Sequence, residues 1–400
     1  MITKELLKEV IIDQQDDLKL RENIQRNLKI KPLKKYAIII KGLRRVGKST
    51  LLKQFLAKKK PIYYLHFEDI RLAGFSNTEF TKLQELFEES LGKNGVYFLD
   101  EVQNVDSWEI FVRTLIDSGK EVYVTGSNST LMSKELGTRL TGRNISEELY
   151  PFDFVEFCRA KKKEPSLVQF TKFLTKGGLP EYILQNDSRI LKSLVKDVIY
   201  RDILVRLRVR DEAVVEQLVA YVLTNIGKEL SYNKLKDLFG VGSVNTIISL
   251  MNSLEDAYLL FTVNLFDYSL KKQLRNQRKV YCVDNGILSK VSFQFSNNYG
   301  RLLENLVFVE LKRRGLEVYF HKGKGECDFI IKKGLNEFHA IQVCYELNLD
   351  NQERELNGLI EGLDKINKKT GVILTYNQED TFKINGKTIT VIPVWKWLLE

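Results

Sequence analysis

The chain has 400 residues, 44% of them hydrophobic and 28% charged, with a formal net charge of +10. That length exceeds one small core and predicts two or three domains, while the lack of any run of 18 apolar residues argues against a membrane-spanning helix. Four cysteines, Cys158, Cys282, Cys327 and Cys344, stand far apart without a CxxC pair, so no disulfide framework or zinc knuckle is expected and a reducing cytoplasm is the simplest location.

The opening stretch MITKELLKEVIIDQQDD sets acids beside a short apolar run and lacks the pattern of a secretory signal; an N-terminal helical segment is expected over 1–30. The positive balance permits attraction to polyanions such as nucleic acid. Its basic residues gather at Lys29–Lys35, Lys161–Lys163, Arg201–Arg210 and Lys271–Lys279.

Next, YAIIIKGLRRVGKSTLLKQFL reads as a buried strand (Tyr36–Ile40), a loop, and an apolar-periodic helix from about Lys48. The loop Gly42, Leu43, Arg44, Arg45, Val46, Gly47, Lys48, Ser49, Thr50 has two glycines four residues apart, then lysine and a hydroxyl. Glycines let backbone N–H groups turn inward around phosphates, and the helix N-terminus adds positive potential. Lys48 can bridge the terminal phosphates of a nucleotide and Ser49 can hold Mg²⁺.

A triphosphatase needs acids opposite that loop. GVYFLDEVQ is an apolar strand (Val96–Leu99) ending in Asp100, suited to the Mg²⁺ shell, and Glu101, suited to orienting and deprotonating an attacking water. Between the two strands lies another apolar run, PIYYLHFED, whose His66 reads as a strand-end core histidine. After them EVYVTGSNS is a strand ending in Thr125, Ser127 and Asn128; Ser127 or Asn128 is the expected contact to the γ-phosphate or water. In TRLTGRNISEELYPFDFVEF, Arg139 and Arg143 precede a further strand, and Arg143 is the candidate for stabilising transition-state charge, in cis or from a neighbouring subunit.

In this order GLRRVGKST, FLDEVQ, VTGSNS, LTGR and LYPFDFVEF resemble the archaeal and bacterial AAA-like P-loop ATPase family of the STAND type. The likeness continues through GGLPEYIL (Gly177–Leu184), DVIYRDI (Asp197–Ile203), YCVDNGIL (Tyr281–Leu288) and RLLENLVFVELKRRG (Arg301–Gly315). It implies ATP binding, a helical lid and a nuclease-like C-terminal domain of uncharacterised function.

Farther along, Ala213–Ile226 reads as a helix, Ser231 and Ser243 can cap two more, and YLLFTVNLF begins a hairpin with Lys271, Lys272, Arg275, Arg278 and Lys279 on its return side. Helix, turn, helix, hairpin is the winged-helix layout. Its functional reading is DNA docking, with the basic hairpin on phosphates; modules of this kind also serve as lids and protein contacts.

The tail runs helix (Leu302–Arg314), three strands (Leu316–His321, Cys327–Lys332, Phe338–Glu346), helix (Gln352–Ile366) and strand (Gly371–Thr375). That order resembles the restriction-endonuclease-like fold, and the resemblance assigns Glu304, Asp328 and Gln342 to a degenerate metal site. Cys344 stands where that fold carries a lysine, and a neutral thiol cannot stabilise hydroxide or phosphate charge. Glu346 and Lys332 are the nearby charges that could compensate.

The expected fold is α/β: a P-loop NTPase parallel sheet of the additional-strand class (31–155), a helical lid (156–210), a winged helix (211–280) and a small restriction-endonuclease-like domain (281–400). The expected function is that of an ATP- and Mg²⁺-dependent ATPase switching DNA-associated or partner-binding modules. Alternatives are a nucleotide-gated DNA-binding or scaffold protein with negligible turnover and an ATP-regulated nuclease. Expected partners are ATP, DNA through the basic hairpin, and a protein partner or second copy, with no membrane.

Overall fold

The computed structural model describes residues 2–18, 24–59, 61–127, 142–207, 211–275, 277–291, 298–334 and 336–400. These form two units, Met1–Leu149 with Asp256–Tyr258, and Tyr150–Glu255 with Leu259–Glu400.

The first unit begins with α1 (Lys4–Gln15), capped by the Thr3 hydroxyl, which accepts the Leu6 amide at 3.2 Å. Strand β1 (Ala37–Lys41) is apolar at successive positions because both of its faces are covered, as parallel strands require. It is followed by α2 (Lys48–Leu56), β2 (Ile62–His66), α3 (Phe80–Leu91), β3 (Val96–Asp100), α4 (Trp108–Asp117), β4 (Val122–Gly126) and β5 (Asn144–Glu148). The five strands are parallel in the order β2-β3-β4-β1-β5, so β4 lies between β1 and β3.

Register decides which residues meet. Ile40 lies beside Thr125, Leu99 beside Val124 and His66 beside Asp100, so the carboxyl ends of β1 to β4 emerge along one sheet edge. That edge is where ligands bind in open α/β sheets. On one flank, α3 turns Phe80, Leu83, Leu86 and Phe87 inward at helical spacing. Phe80 stacks on Phe111 with ring centroids 4.2 Å apart, and Tyr63 stacks on Phe87 at 5.1 Å.

In the second unit, α5 (Phe154–Ala160), α6 (Leu167–Lys176), α7 (Pro180–Gln185) and α8 (Arg189–Asp197) lead into a π-helical stretch, Val198–Leu204. Then come α9 (Glu212–Thr224), β6 (Glu229–Leu230), α10 (Tyr232–Leu238), α11 (Val244–Asp256), β7 (Leu260–Asn264), α12 (Leu270–Arg275) and β8 (Arg278–Cys282). The three strands form an antiparallel sheet in the order β6-β8-β7. The return side is therefore not simply hairpin: Leu270–Arg275 is helical and the strand starts only at Arg278. Asp267 initiates that helix by accepting the Ser269 amide at 2.9 Å, and the run LKKQLR is rich in helix formers.

The remainder holds α13 (Asn285–Val291), α14 (Tyr299–Arg313), β9 (Glu317–Lys322), β10 (Glu326–Lys333), β11 (Glu337–Cys344), α15 (Gln352–Lys365), β12 (Thr370–Thr375), β13 (Asp380–Ile384), β14 (Lys387–Pro393) and α16 (Val394–Trp397). Its sheet runs β13-β14-β12-β11-β10-β9, antiparallel through β9, β10 and β11 and parallel through β11, β12 and β14. Strands β13 and β14 extend the expected order of helix, three strands, helix and strand.

Three of the quoted stretches meet in a buried polar knot. Asp284 accepts the amides of Gly178 at 2.6 Å and Gly286 at 2.8 Å, and Asn305 donates to Asn285 at 2.8 Å. A Cβ on Gly178 would lie 2.2 Å from the Phe152 carbonyl oxygen, so only glycine allows this approach. Burial pushes the Asp284 carboxyl up to about 6 against the pull of these amides.

Candidate functional site

The loop between β1 and α2 is shaped by backbone that side chains resist. Gly42 has φ 150° and a Cβ there would sit 2.3 Å from the Leu149 carbonyl oxygen; Gly47 has φ 97°. Arg45, at φ 62°, adopts the left-handed region without being glycine. Leu43 and Val46 are buried and anchor the loop, while Thr50 lies half-buried on α2.

Lys48 starts α2 and is buried. Its ammonium donates to the carbonyls of Gly42 and Leu43, each at 3.2 Å, and lies 3.4 Å from Glu101 Oε1. The next residue, Ser49, donates to Asp100 Oδ1 at 2.8 Å. The structure thus brings Lys48, Ser49, Asp100 and Glu101 together at one sheet edge, as the loop and the end of β3 require.

Burial alone would raise the pKa of both acids, but their neighbours outweigh it. His66, Thr125 and Ser49 hold the Asp100 carboxyl below its ordinary value, and the Lys48 ammonium does the same for Glu101. His66 Nδ1 lies 3.5 Å from Asp100 Oδ2, within reach of its charge though not hydrogen bonded.

Several further residues surround the acids. The Thr125 hydroxyl donates to Asp100 Oδ1 and accepts the Glu101 amide at 3.0 Å, so it ties both acids to β4. Tyr64 donates to Asp100 Oδ2 at 3.1 Å, and Gln103 donates to Glu101 Oε2 at 2.6 Å. Ser127, expected as the contact at this strand end, is buried with its hydroxyl 3.5 Å from Gln103 Nε2. Arg44 pairs with Glu68 at 2.7 Å, and buried Arg26 donates to the Val46 carbonyl at 2.9 Å.

Arg143 is not brought to the loop within its own chain. It precedes β5, whose Asn144 pairs with Ala37 at the amino end of β1, and its guanidinium pairs with Asp117 at the end of α4. The whole length of β1 separates it from Gly42. Asn128 and Arg139 lie outside the described residues.

The second unit contains a cavity of about 740 Å³ lined by, among others, Glu304, Glu326, Asp328, Gln342 and Cys344. A register shift between Cys327 and Ile330 in the β9–β10 ladder frees Asp328 from strand pairing. Asp328 Oδ2 accepts the Val343 amide at 3.0 Å, and Gln342 Oε1 accepts the Asp328 amide at 3.1 Å. Glu355 on α15 accepts from Gln342 Nε2 at 2.6 Å. Burial, reinforced by the Glu304 carboxylate, pushes Asp328 up to about 7.

Cys344 is a buried thiol whose pKa burial pushes up to about 11, and it donates to the Glu346 carbonyl at 3.1 Å. Lys332 does not compensate: it pairs with Glu317 at 3.1 Å on an exposed flank. The cation comes instead from β8. Lys279 Nζ lies 2.5 Å from Glu326, 3.3 Å from Asp328 and 3.4 Å from Glu304. Lys279 was expected on an exposed basic hairpin; it is only 2% exposed, because as a central-strand residue of β6-β8-β7 it points into the acids. Arg278 is likewise engaged, 5.5 Å over the Tyr232 ring. Lys271 and Lys272 are exposed.

Among the described residues, no group of three or more His, Cys, Asp or Glu is placed to hold a metal ion, and no helix is long and apolar enough to cross a membrane. A family model described as an AAA domain matches residues 34–158, which include the loop and the acidic strand. Two described as domains of unknown function (DUF8612 and DUF4143) match residues 168–298 and 299–397. An uncharacterized protein of Methanocaldococcus jannaschii is 37% identical over 437 residues, spanning 100% of this chain and 96% of that protein. One of Haemophilus influenzae is 30% identical across 90% of this chain and 94% of its own length. A second M. jannaschii protein is 24% identical over 92% of this chain and 85% of its own.

Proposed function

We propose, for a chain that belongs to the family of AAA-domain proteins represented by these uncharacterized archaeal and bacterial relatives, an ATP-hydrolysing nucleotide switch whose loop state biases the modules of the second unit. The observation that carries this reading is the 2.8 Å contact between Ser49 and Asp100 beside the 3.4 Å pair of Lys48 and Glu101. Loop, cation-binding pair and water-activating acid then occupy one edge of the parallel sheet.

Mg²⁺ fits Ser49 and Asp100, a hydroxyl and a carboxylate, which are the hard oxygen donors it prefers. When bound, the ion neutralises charge on the phosphates. Lys48 leaves Glu101 and the Gly42 and Leu43 carbonyls to meet the terminal phosphates. Glu101, freed from that cation but still held by Gln103, orients a water and takes its proton. Thr125, joined to both acids, is the β4 residue best placed to sense the change, with Ser127 behind it through Gln103. Steady-state ATP hydrolysis by the full chain and by Glu101→Gln tests the assignment.

The tail is read as a binding or assembly module that does not cut nucleic acid, with Glu304, Asp328 and Gln342 the residues a nuclease alternative would use. A second reading for the middle of the chain is DNA docking. The arrangement of β6, α10, α11, β7 and β8 favours it, since it follows the winged-helix layout. Lys271 and Lys272 are exposed there, and the Arg275 side chain lies outside the described residues.

A further inference from the structure

Lys279 presents a physical problem that neither nucleotide binding nor DNA docking explains. Burying an ammonium is costly unless opposite charges and hydrogen bonds surround it. An ammonium has three N–H donors, and three carboxylates from two elements surround it: Glu304 of α14 at 3.4 Å, and Glu326 at 2.5 Å and Asp328 at 3.3 Å, both of β10. The pocket is built for this charge. Tyr281, two residues on in β8, donates to Glu304 Oε1 at 2.6 Å and fixes that carboxylate. The β9–β10 register shift frees Asp328, and the Val343 amide holds its other oxygen.

Three carboxylates within 3.4 Å give the buried Lys279 ammonium the opposite charge that a buried cation needs. A divalent cation of the Mg²⁺ or Mn²⁺ type needs oxygens at roughly 2.0–2.2 Å around its own centre. Here the oxygens are spaced about a nitrogen instead, and no metal-holding group is found among the described residues.

We infer that the Lys279 ammonium occupies the cation seat formed by Glu304, Glu326 and Asp328, so that this cavity is metal-free by construction and accepts Mn²⁺ or Mg²⁺ only when that lysine is removed. The inference deepens the reading of the tail as non-cutting. It is also distinguishable from that reading, because metal occupancy is measured without any nucleic acid.

The experiment titrates Mn²⁺ into the full chain and follows free Mn²⁺ by electron paramagnetic resonance. Only binding that Asp328→Asn removes is counted, which sets aside any ion at the nucleotide loop. Wild type is expected to show none into the millimolar range, whereas Lys279→Met gains one site at least tenfold tighter. Asp328-dependent Mn²⁺ binding by wild type overturns the inference, as does a folded Lys279→Met chain that gains no site. Should Lys279→Met unfold, millimolar Mn²⁺ is expected to restore its folded far-ultraviolet circular dichroism, and failure to do so counts against the seat.

Discussion

Lys48 Nζ stands 3.4 Å from Glu101 Oε1, so the lysine proposed to meet phosphates is paired with the acid proposed to activate water. Both side chains are buried, where an opposite charge is felt more strongly than in solvent. On the proposed reading, phosphates compete with Glu101 for the Lys48 ammonium. Glu101→Gln removes the competing charge, and its Kd for ATP is expected to fall several-fold relative to wild type, read by isothermal titration with Mg²⁺ present. Weaker binding by Glu101→Gln would show that the pair does not oppose the phosphates.

The buried Asp284 predicts an opposite pH response from the loop acids. Its folded-state pKa is raised to about 6 from 3.8, so its linked stabilisation is present below the unfolded value and is lost as pH rises through about 6. Relative to Asp284→Asn, wild type should lose on the order of 3 kcal/mol between about pH 4 and pH 6. Unfolding both chains by denaturant at several pH values checks this. A difference that is flat, or that moves in favour of wild type with rising pH, contradicts the assigned burial effect.

For the middle of the chain, DNA docking predicts a salt-dependent affinity in which the exposed Lys271 and Lys272 take part. Replacing both by alanine should lower the log–log salt slope by about two. Lys279 offers no phosphate contact while it is enclosed by three carboxylates. An affinity that ignores salt, or no binding at about 50 mM salt, would leave the module as a lid or protein contact.

The tail should not cleave linear, nicked or four-way DNA with Mg²⁺ or Mn²⁺. Adding a lysine to β11 by Cys344→Lys should not restore cutting, because the cation seat beside Asp328 is already filled. Cleavage by wild type that disappears in Asp328→Ala would promote the nuclease alternative. Cleavage by Cys344→Lys alone would show that only the strand charge was wanting.

What could be read in the sequence was what is contiguous. The nucleotide loop is a nine-residue run whose glycines, lysine and serine act on their own backbone, and Asp100 and Glu101 follow directly from the end of an apolar strand. The roles of Thr125, legible only as a polar strand end, and of Tyr64 could not be found this way. Their contacts to Asp100 depend on parallel register between strands 25 and 36 residues apart in the chain. Arg26 sits in a stretch with no periodicity, yet folds onto the Val46 carbonyl. Arg143 looks close to the site in sequence order, but a parallel strand begins at the far edge of the sheet from where its neighbour ends. The basic run Lys271–Lys279 shows the limit most plainly. Its first lysines face solvent and its last is enclosed, and only contacts with residues 25 to 49 positions away separate them.

Whether the chain hydrolyses ATP with Glu101 as the base is decided by steady-state turnover of wild type, Glu101→Gln and Lys48→Ala, with ATP binding measured in parallel. Wild type should turn ATP over only with Mg²⁺ present. Glu101→Gln should retain ATP but turn over on the order of 10²-fold more slowly or worse, and Lys48→Ala should lose tight binding altogether. Equal turnover by wild type and Glu101→Gln, or tight ATP binding by Lys48→Ala, would contradict this reading.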